Sequence, residues 1–141
     1  MQAESRLEIR SEHDILTARQ RGRELAAEAG FSGSDLTLVA TAISEVARNI
    51  VEYAGHGEIV LTLVPDGPSP GIVVVARDAG PGIPDVALAM QDGYSTSGSL
   101  GLGLPGARRL MDELEVDSRP GNGTTVTMRK WVQRRTVRVG R

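Results

Sequence analysis

The stretch "GIVVVARDAGPGI", residues 71–83, runs from an apolar, β-branched segment into an aspartate and then into two glycines flanking a proline. Residues 71–76 have the composition of a buried strand. Asp78 then stands at the strand's exit, where loops carry function. Gly80 and Gly82 permit positive φ and have no Cβ, so a flat ligand can approach the backbone closely. Taken alone, the same pattern describes an ordinary turn closed by an Asx hydrogen bond. The flanking segments have to decide between the two.

Immediately upstream, "IVLTLVPDGPSPGIVVVARD" reads as two strands about a Pro/Gly-rich turn, an antiparallel hairpin. Further back, "SRLEIRSE" (5–12) alternates Leu7 and Ile9 with polar neighbours, as an edge strand does. Asp14 to Ala29 is rich in Ala, Arg, Glu and Leu and stops at Gly30, which predicts a helix with Asp14 near its start. Leu36, Val39, Ile43, Val46 and Ile50 recur at helical spacing and predict a second helix to about Tyr53. Downstream, "IPDVALAMQ" predicts a short helix, "DGYSTSGSLG" a polar loop, "LPGARRLMDEL" a further helix and "LEVDSRPGNGTTVTMRKW" two strands around a glycine turn. The order β-α-α-β-β-α-α-β-β predicts an α+β architecture, helices covering one face of a mainly antiparallel sheet.

The 141 residues, 40% of them hydrophobic, suit one globular domain over 1–141. With no cysteine, disulfides, thiolate chemistry and cysteine-ligated zinc are excluded. The N-terminus lacks a signal-peptide apolar segment and no run approaches the roughly twenty apolar residues of a membrane span, so a cytoplasmic protein is expected. Residues 129–141, the end of the last strand and a tail, hold six of the 16 basic residues and none of the 18 acidic ones. The rest therefore carries 10 basic against 18 acidic residues, a balance of −8. Such a tail can meet an acidic partner or simply stay solvated. Aromatics, at 3%, are too scarce for a base-stacking surface, which argues against nucleic acid.

Two further segments carry chemistry. In "SEVARNI", Glu45 and Asn49 are four apart and share one helix face. That face lies roughly 110° from the centre of the apolar stripe, at the border of the core. A carboxylate beside a carboxamide can supply a general base and an oxygen ligand for Mg²⁺, or it can be a solvent-facing pair. In "STSGSLGLGLPGARRL", Gly101, Gly103 and Gly106 fit G-x-G-x-x-G, but no strand precedes them, so a dinucleotide fingerprint does not apply. A helix N-terminus that receives phosphate does. Lys130 is the chain's sole lysine, so no P-loop G-K-[ST] exists, and a polyphosphate would be met by metal, backbone amides and arginine.

With these pieces in order, the chain resembles the Bergerat-fold (GHKL) ATPases, the superfamily of DNA gyrase, the ninety-kilodalton heat-shock chaperone, mismatch-repair ATPases and histidine kinases. "EVARN" is similar to its first box, "DAGPGI" to its second, "GLGLPG" to its third and "GNGTTV" to the closing glycine-threonine element. Within it, "TAISEVARNI", "DAGPGIPD", "DGYSTSGSLGLGLPGARRLMDE" and the terminal "KW" look most like the small serine/threonine kinases that control sigma factors, in particular the stressosome switch type.

The resemblance implies a two-layer α/β sandwich, a mainly antiparallel mixed sheet with helices on one face, and phosphoryl transfer from ATP with Mg²⁺. It implies Asp78 as acceptor of the adenine amine, with Gly80 and Gly82 giving the base room. Asn49 is implied as magnesium ligand and Glu45 as the group that orients or deprotonates the attacking hydroxyl. Leu100, Gly101, Leu102, Gly103 and Leu104 are implied as the phosphate-holding turn, and Thr124 or Thr125 as the threonine behind the adenine. The implied partners are a STAS-domain anti-sigma antagonist as substrate, a PP2C-type phosphatase activated afterwards, and a stressosome complex. Three other readings stay open: a histidine kinase's catalytic fragment, a nucleotide-gated anti-sigma factor that holds a sigma factor, and a nucleotide sensor without catalysis. Arg48 reads as a surface salt bridge, His13 and His56 as surface histidines, and Trp131 as packing on the last strand.

Overall fold

The computed structural model describes residues 4–64, 69–82, 90 and 103–132. Its elements are β1 (Glu4–Ile9), α1 (Glu12–Ala29), α2 (Ser34–Asn49), a π-helical turn (Ile50–Ala54), β2 (Gly57–Val64), β3 (Gly71–Asp78), α3 (Gly103–Leu110), β4 (Glu113–Ser118) and β5 (Thr124–Trp131). Apart from residue 90, the short helix expected at 83–91 lies outside the described residues, as do the loop from 92 to 99 and the tail beyond Val132.

The five described strands form one sheet in the order β1-β2-β3-β5-β4, and every neighbouring pair is antiparallel. This is the expected α+β architecture, with no parallel pairing among the described strands. The hairpin expected at 71–83 and upstream is β2–β3, in register from Val64 opposite Gly71 to Gly57 opposite Asp78. β1 takes one edge, as its alternation suggests.

Alternate residues of the strands face the helices: Ile9, Ile59, Leu61, Ile72, Val74, Ala76, Val126 and Met128 are buried in one core with Ile15, Leu25, Val39, Ile43, Val46 and Ile50. At ~25 cal/mol per Å² of apolar surface removed from water, each such large side chain contributes about 1.5–3 kcal/mol. α1 starts two residues earlier than the sequence suggests. Ser11 takes the N-cap position, and Asp14 Oδ2 reaches back to the backbone N–H groups of Arg10 (2.8 Å) and Ser11 (3.2 Å), the acidic half of a capping box. The Arg10 N–H, followed by that of Ser11, holds the Asp14 carboxyl below its ordinary pKa. Gly30 ends α1 with φ of 109°.

α2 is the central helix. A Cβ on Gly22 of α1 would stand 2.1 Å from Ile43 Cδ1, so the glycine is what lets the two helices close. α2 also packs against α3, and eight consecutive or near-consecutive residues, Val39, Ala40 and Ala42–Ala47, are buried. His13 and His56 are exposed, as expected. Trp131 ends β5 with its ring over Gly71, where a Cβ would meet Cε3 at 2.4 Å.

Candidate nucleotide and phosphoryl-transfer site

Asp78 is the last residue of β3, and its neighbours across the sheet are Gly57 on one side and Thr124 on the other, with Ser118 one strand further. Directly opposed residues share a face. Ala76 and Val126, two residues away on the same strands, belong to the core, so Asp78 and Thr124 lie on the helix-covered face. Thr125 stands opposite Arg77 and Asp117, on the other face. The sheet register thus separates the two threonines, which spacing alone could not. The Thr124 hydroxyl is 2.8 Å from that of Ser118, whose O–H also donates to Gly123 O at 3.1 Å.

The loop after Asp78 is held from three directions. The Gly80 N–H donates to Asp78 Oδ1 at 2.9 Å, the Asx bond of the plain turn. A Cβ on Gly80 would lie 2.6 Å from the Cβ of Ala54, so this glycine packs the loop onto the π-helical turn. Gly82 has φ of 81°, and a Cβ there would meet Arg119 O at 2.2 Å, while the Gly121 N–H donates to Pro81 O at 2.7 Å. The close approach that demands these glycines is therefore made by the protein's own chain. This differs from the sequence expectation that their missing Cβ atoms open space for a ligand.

Gly123 and Gly57 complete the enclosure, with Cβ positions 2.1 Å from Asp78 O and 3.2 Å from Asp78 Cβ. The sequence reading placed Gly123 in a glycine turn and gave Gly57 no role in the site. Their register opposite or beside Asp78 was the signal, and it needs the strand pairing.

The second wall comes from α2. Glu45 is only 7% exposed, so it is not at the border of the core as the 110° offset suggests. α3 covers that flank, and the Gly103 N–H at its head donates to Glu45 Oε2 at 3.1 Å. On the other oxygen, Arg48 pairs with Oε1 at 3.2 Å, with side-chain exposures of 38% and 10%. The salt bridge expected of Arg48 is therefore present, and what differs is that its partner is the buried carboxylate of Glu45. Asn49, one turn after Glu45, ends α2, and the π-helical turn carries the chain from it to Ala54 against Gly80. One continuous wall results: Gly103, Glu45, Asn49, Ala54, Gly80, Asp78, Thr124.

Leu104 is buried in the first turn of α3, so what it can offer there is its backbone. Gly103 has φ of 67°, open to glycine at no steric cost. Leu100, Gly101 and Leu102 lie outside the described residues. A cleft of about 550 Å³ between β1 and α1, lined by Leu7, Leu16 and Gln20 among others, is built from other elements than this wall.

Residues 10–130 match the family model described as "Histidine kinase-like ATPase domain". The chain belongs to that family. It is 49% identical over 133 residues to the serine/threonine-protein kinase RsbT of Bacillus subtilis (strain 168), covering 94% of this chain and 100% of that protein. An anti-sigma F factor of Caldanaerobacter subterraneus is 36% identical over 100 residues, 68% of this chain and 70% of that one. The solved RsbU and RsbW domains of Rv1364c from Mycobacterium tuberculosis share the fold, with a TM-score of 0.64 at 23% identity over 95% of this chain and 33% of theirs. The kinase relative matches at higher identity and along more of the chain than the anti-sigma factor does. Among the described residues no helix is long and apolar enough to cross a membrane.

Proposed function

We propose that the chain is an ATP-dependent serine/threonine protein kinase of the switch type, acting on a small STAS-domain anti-sigma antagonist. The observation that carries this reading is the continuous wall that joins Asp78 and Thr124 at the sheet's end to Glu45 and Asn49 on α2, in a chain 49% identical along its length to a serine/threonine kinase. Adenine takes the Asp78 end, where Oδ1 is fixed by Gly80 and Oδ2 is left to accept the N6 amine. Thr124 backs it. The phosphates run toward Gly103 and Leu104 at the head of α3, with the segment from 100 to 102 as the rest of the turn.

The hard carboxamide oxygen of Asn49 fits a magnesium ion. A single such oxygen suits an ion that keeps water and phosphate ligands. When bound, Mg²⁺ neutralises charge on the phosphate oxygens. Glu45 lies one turn from Asn49 and receives the hydroxyl proton of the acceptor serine or threonine as its oxygen bonds to the γ-phosphorus. The bond from phosphorus to the β–γ bridging oxygen breaks and ADP leaves with the electron pair. Positioning and charge stabilisation supply most of such catalysis.

Release of the kinase from a stressosome-type complex, and its capture by a PP2C-type phosphatase, follow from the same reading. The test is transfer of label from γ-labelled Mg-ATP to a STAS-domain protein. Label on serine or threonine, lost in Glu45→Ala while ATP still binds, is expected. Tight ATP binding without transfer, together with capture of a sigma factor, would support the second reading that the anti-sigma F relative favours, a nucleotide-gated anti-sigma factor.

A further inference from the structure

The carboxylate of Glu45 has both oxygens engaged, Oε1 by the Arg48 guanidinium and Oε2 by the backbone N–H of Gly103. It is 7% exposed. In that state Oε2 is held against the head of α3 and the buried carboxylate presents little open surface to an incoming hydroxyl. Gly103 in turn is the first residue of α3, and its N–H, a helix-head donor with no intrahelical acceptor, is the kind of donor a phosphate seeks. Pro105, two residues on, offers no N–H, so the first turn has few donors to share. A buried anion supplied by the protein itself therefore sits on a donor that the proposed nucleotide phosphate needs.

We propose that Glu45 occupies the anion position at the head of α3 in the nucleotide-free protein, and that a nucleotide phosphate displaces it. Seating the phosphate and freeing Oε2 to receive a hydroxyl proton are then one event. This inference rests on the kinase reading above and adds a coupling to it: the base is occupied until nucleotide arrives. Arg48 is the positioning residue. It keeps hold of Oε1 from the next turn of α2, so the freed carboxylate stays in the site instead of following solvent. The Arg48 side chain is partly exposed and can move with it, whereas the backbone N–H of Gly103 cannot follow Glu45 and hold phosphate at once.

The experiment uses the full chain, wild type and Glu45→Gln, an isosteric change that keeps a neutral acceptor for Gly103. The amide resonance of Gly103 is recorded in the free protein, with adenosine at saturation, and with Mg-ADP. The expected result is a large difference between the two proteins in the free and adenosine-bound states that collapses with Mg-ADP. Calorimetry on the same samples should show ADP binding about five- to tenfold tighter in Glu45→Gln, since a neutral competitor replaces a charged one, with adenosine affinity unchanged. A Gly103 difference that persists in a calorimetrically verified ADP complex would overturn the coupling and leave the kinase reading intact. So would identical Gly103 resonances in the two free proteins. Failure of ADP to bind either protein would overturn both.

Discussion

Replacing Asp78 by asparagine tests the adenine end with an effect that can be worked out atom by atom. In the wild type, Oδ1 accepts the Gly80 N–H at 2.9 Å and no described residue takes Oδ2. Asparagine has a single acceptor oxygen, and the loop's glycines, packed on Ala54 and Arg119, keep Gly80 where it is. The amide oxygen therefore stays on Gly80, and the NH₂ falls where Oδ2 was. A donor now faces the N6 amine, itself a donor. The loss is a charge-assisted hydrogen bond, about 1.5–3 kcal/mol, or roughly 10- to 150-fold in ATP affinity. Because the Asx bond survives, the thermal midpoint without nucleotide should stay within about 1–2 °C of wild type, as expected for a change near 0.5 kcal/mol. The same NH₂ can donate to the O6 acceptor of guanine, so the ratio of GTP to ATP affinity should rise. Titration calorimetry with both nucleotides gives the affinity loss and the ratio, and a thermal melt without nucleotide gives the midpoint. Unchanged ATP affinity with an unchanged GTP ratio would refute the placement of adenine against Asp78.

Two further perturbations probe the frame. Gly123→Ala puts a Cβ 2.1 Å from Asp78 O at φ of 78°, so about 1–2 kcal/mol of left-handed strain adds to a backbone overlap; denaturant melts should show at least that loss, and ATP binding should weaken with it. Asp14, held below its ordinary value of 3.8 chiefly by the Arg10 N–H, stabilises α1 at pH above 3.8 and loses that effect as pH falls through its folded-state pKa. Thermal melts of wild type and Asp14→Ala should therefore differ at neutral pH and converge in acid.

Local sequence signals carried most of the fold. The apolar runs of β2 and β3 about a Pro/Gly turn, the helical spacing of Val39, Ile43 and Val46, and the glycine stop at Gly30 are all local, and each of these elements lies within a few residues of where they place it. The places of Asn49, Asp78 and Gly103 in the fold were legible for a similar reason, since each stands at or near an element's end. What escaped depends on long-range packing. The burial of Glu45 follows from α3 docking 58 residues away in sequence, and Arg48 changes meaning with it. The choice of Thr124 over Thr125 is a matter of strand register, invisible until β5 is paired with β3.

The π-helical turn shows how those long-range contacts serve the site. Had α2 continued as an α-helix beyond Asn49, each later residue would have advanced by 100° and the chain would have kept rising along the same axis. The wider turn at Ile50–Ala54 resets the phase, ends at Gly55 with φ of 80°, and returns the chain to β2 beside Asp78. Ala54 meets Gly80 there with Cβ room for neither a larger residue nor a shift. Glu45 and Asn49, fixed on the helix before the turn, are thereby tied to Asp78 through two small residues. A side chain added at Gly80 would press on Ala54, so this contact helps fix the spacing between the helix wall and the sheet's end, the proposed phosphate and adenine ends. π-turns gather at functional sites because they re-aim a chain without ending its hydrogen bonding. Here the re-aimed residue is the one that spaces the two halves of the site.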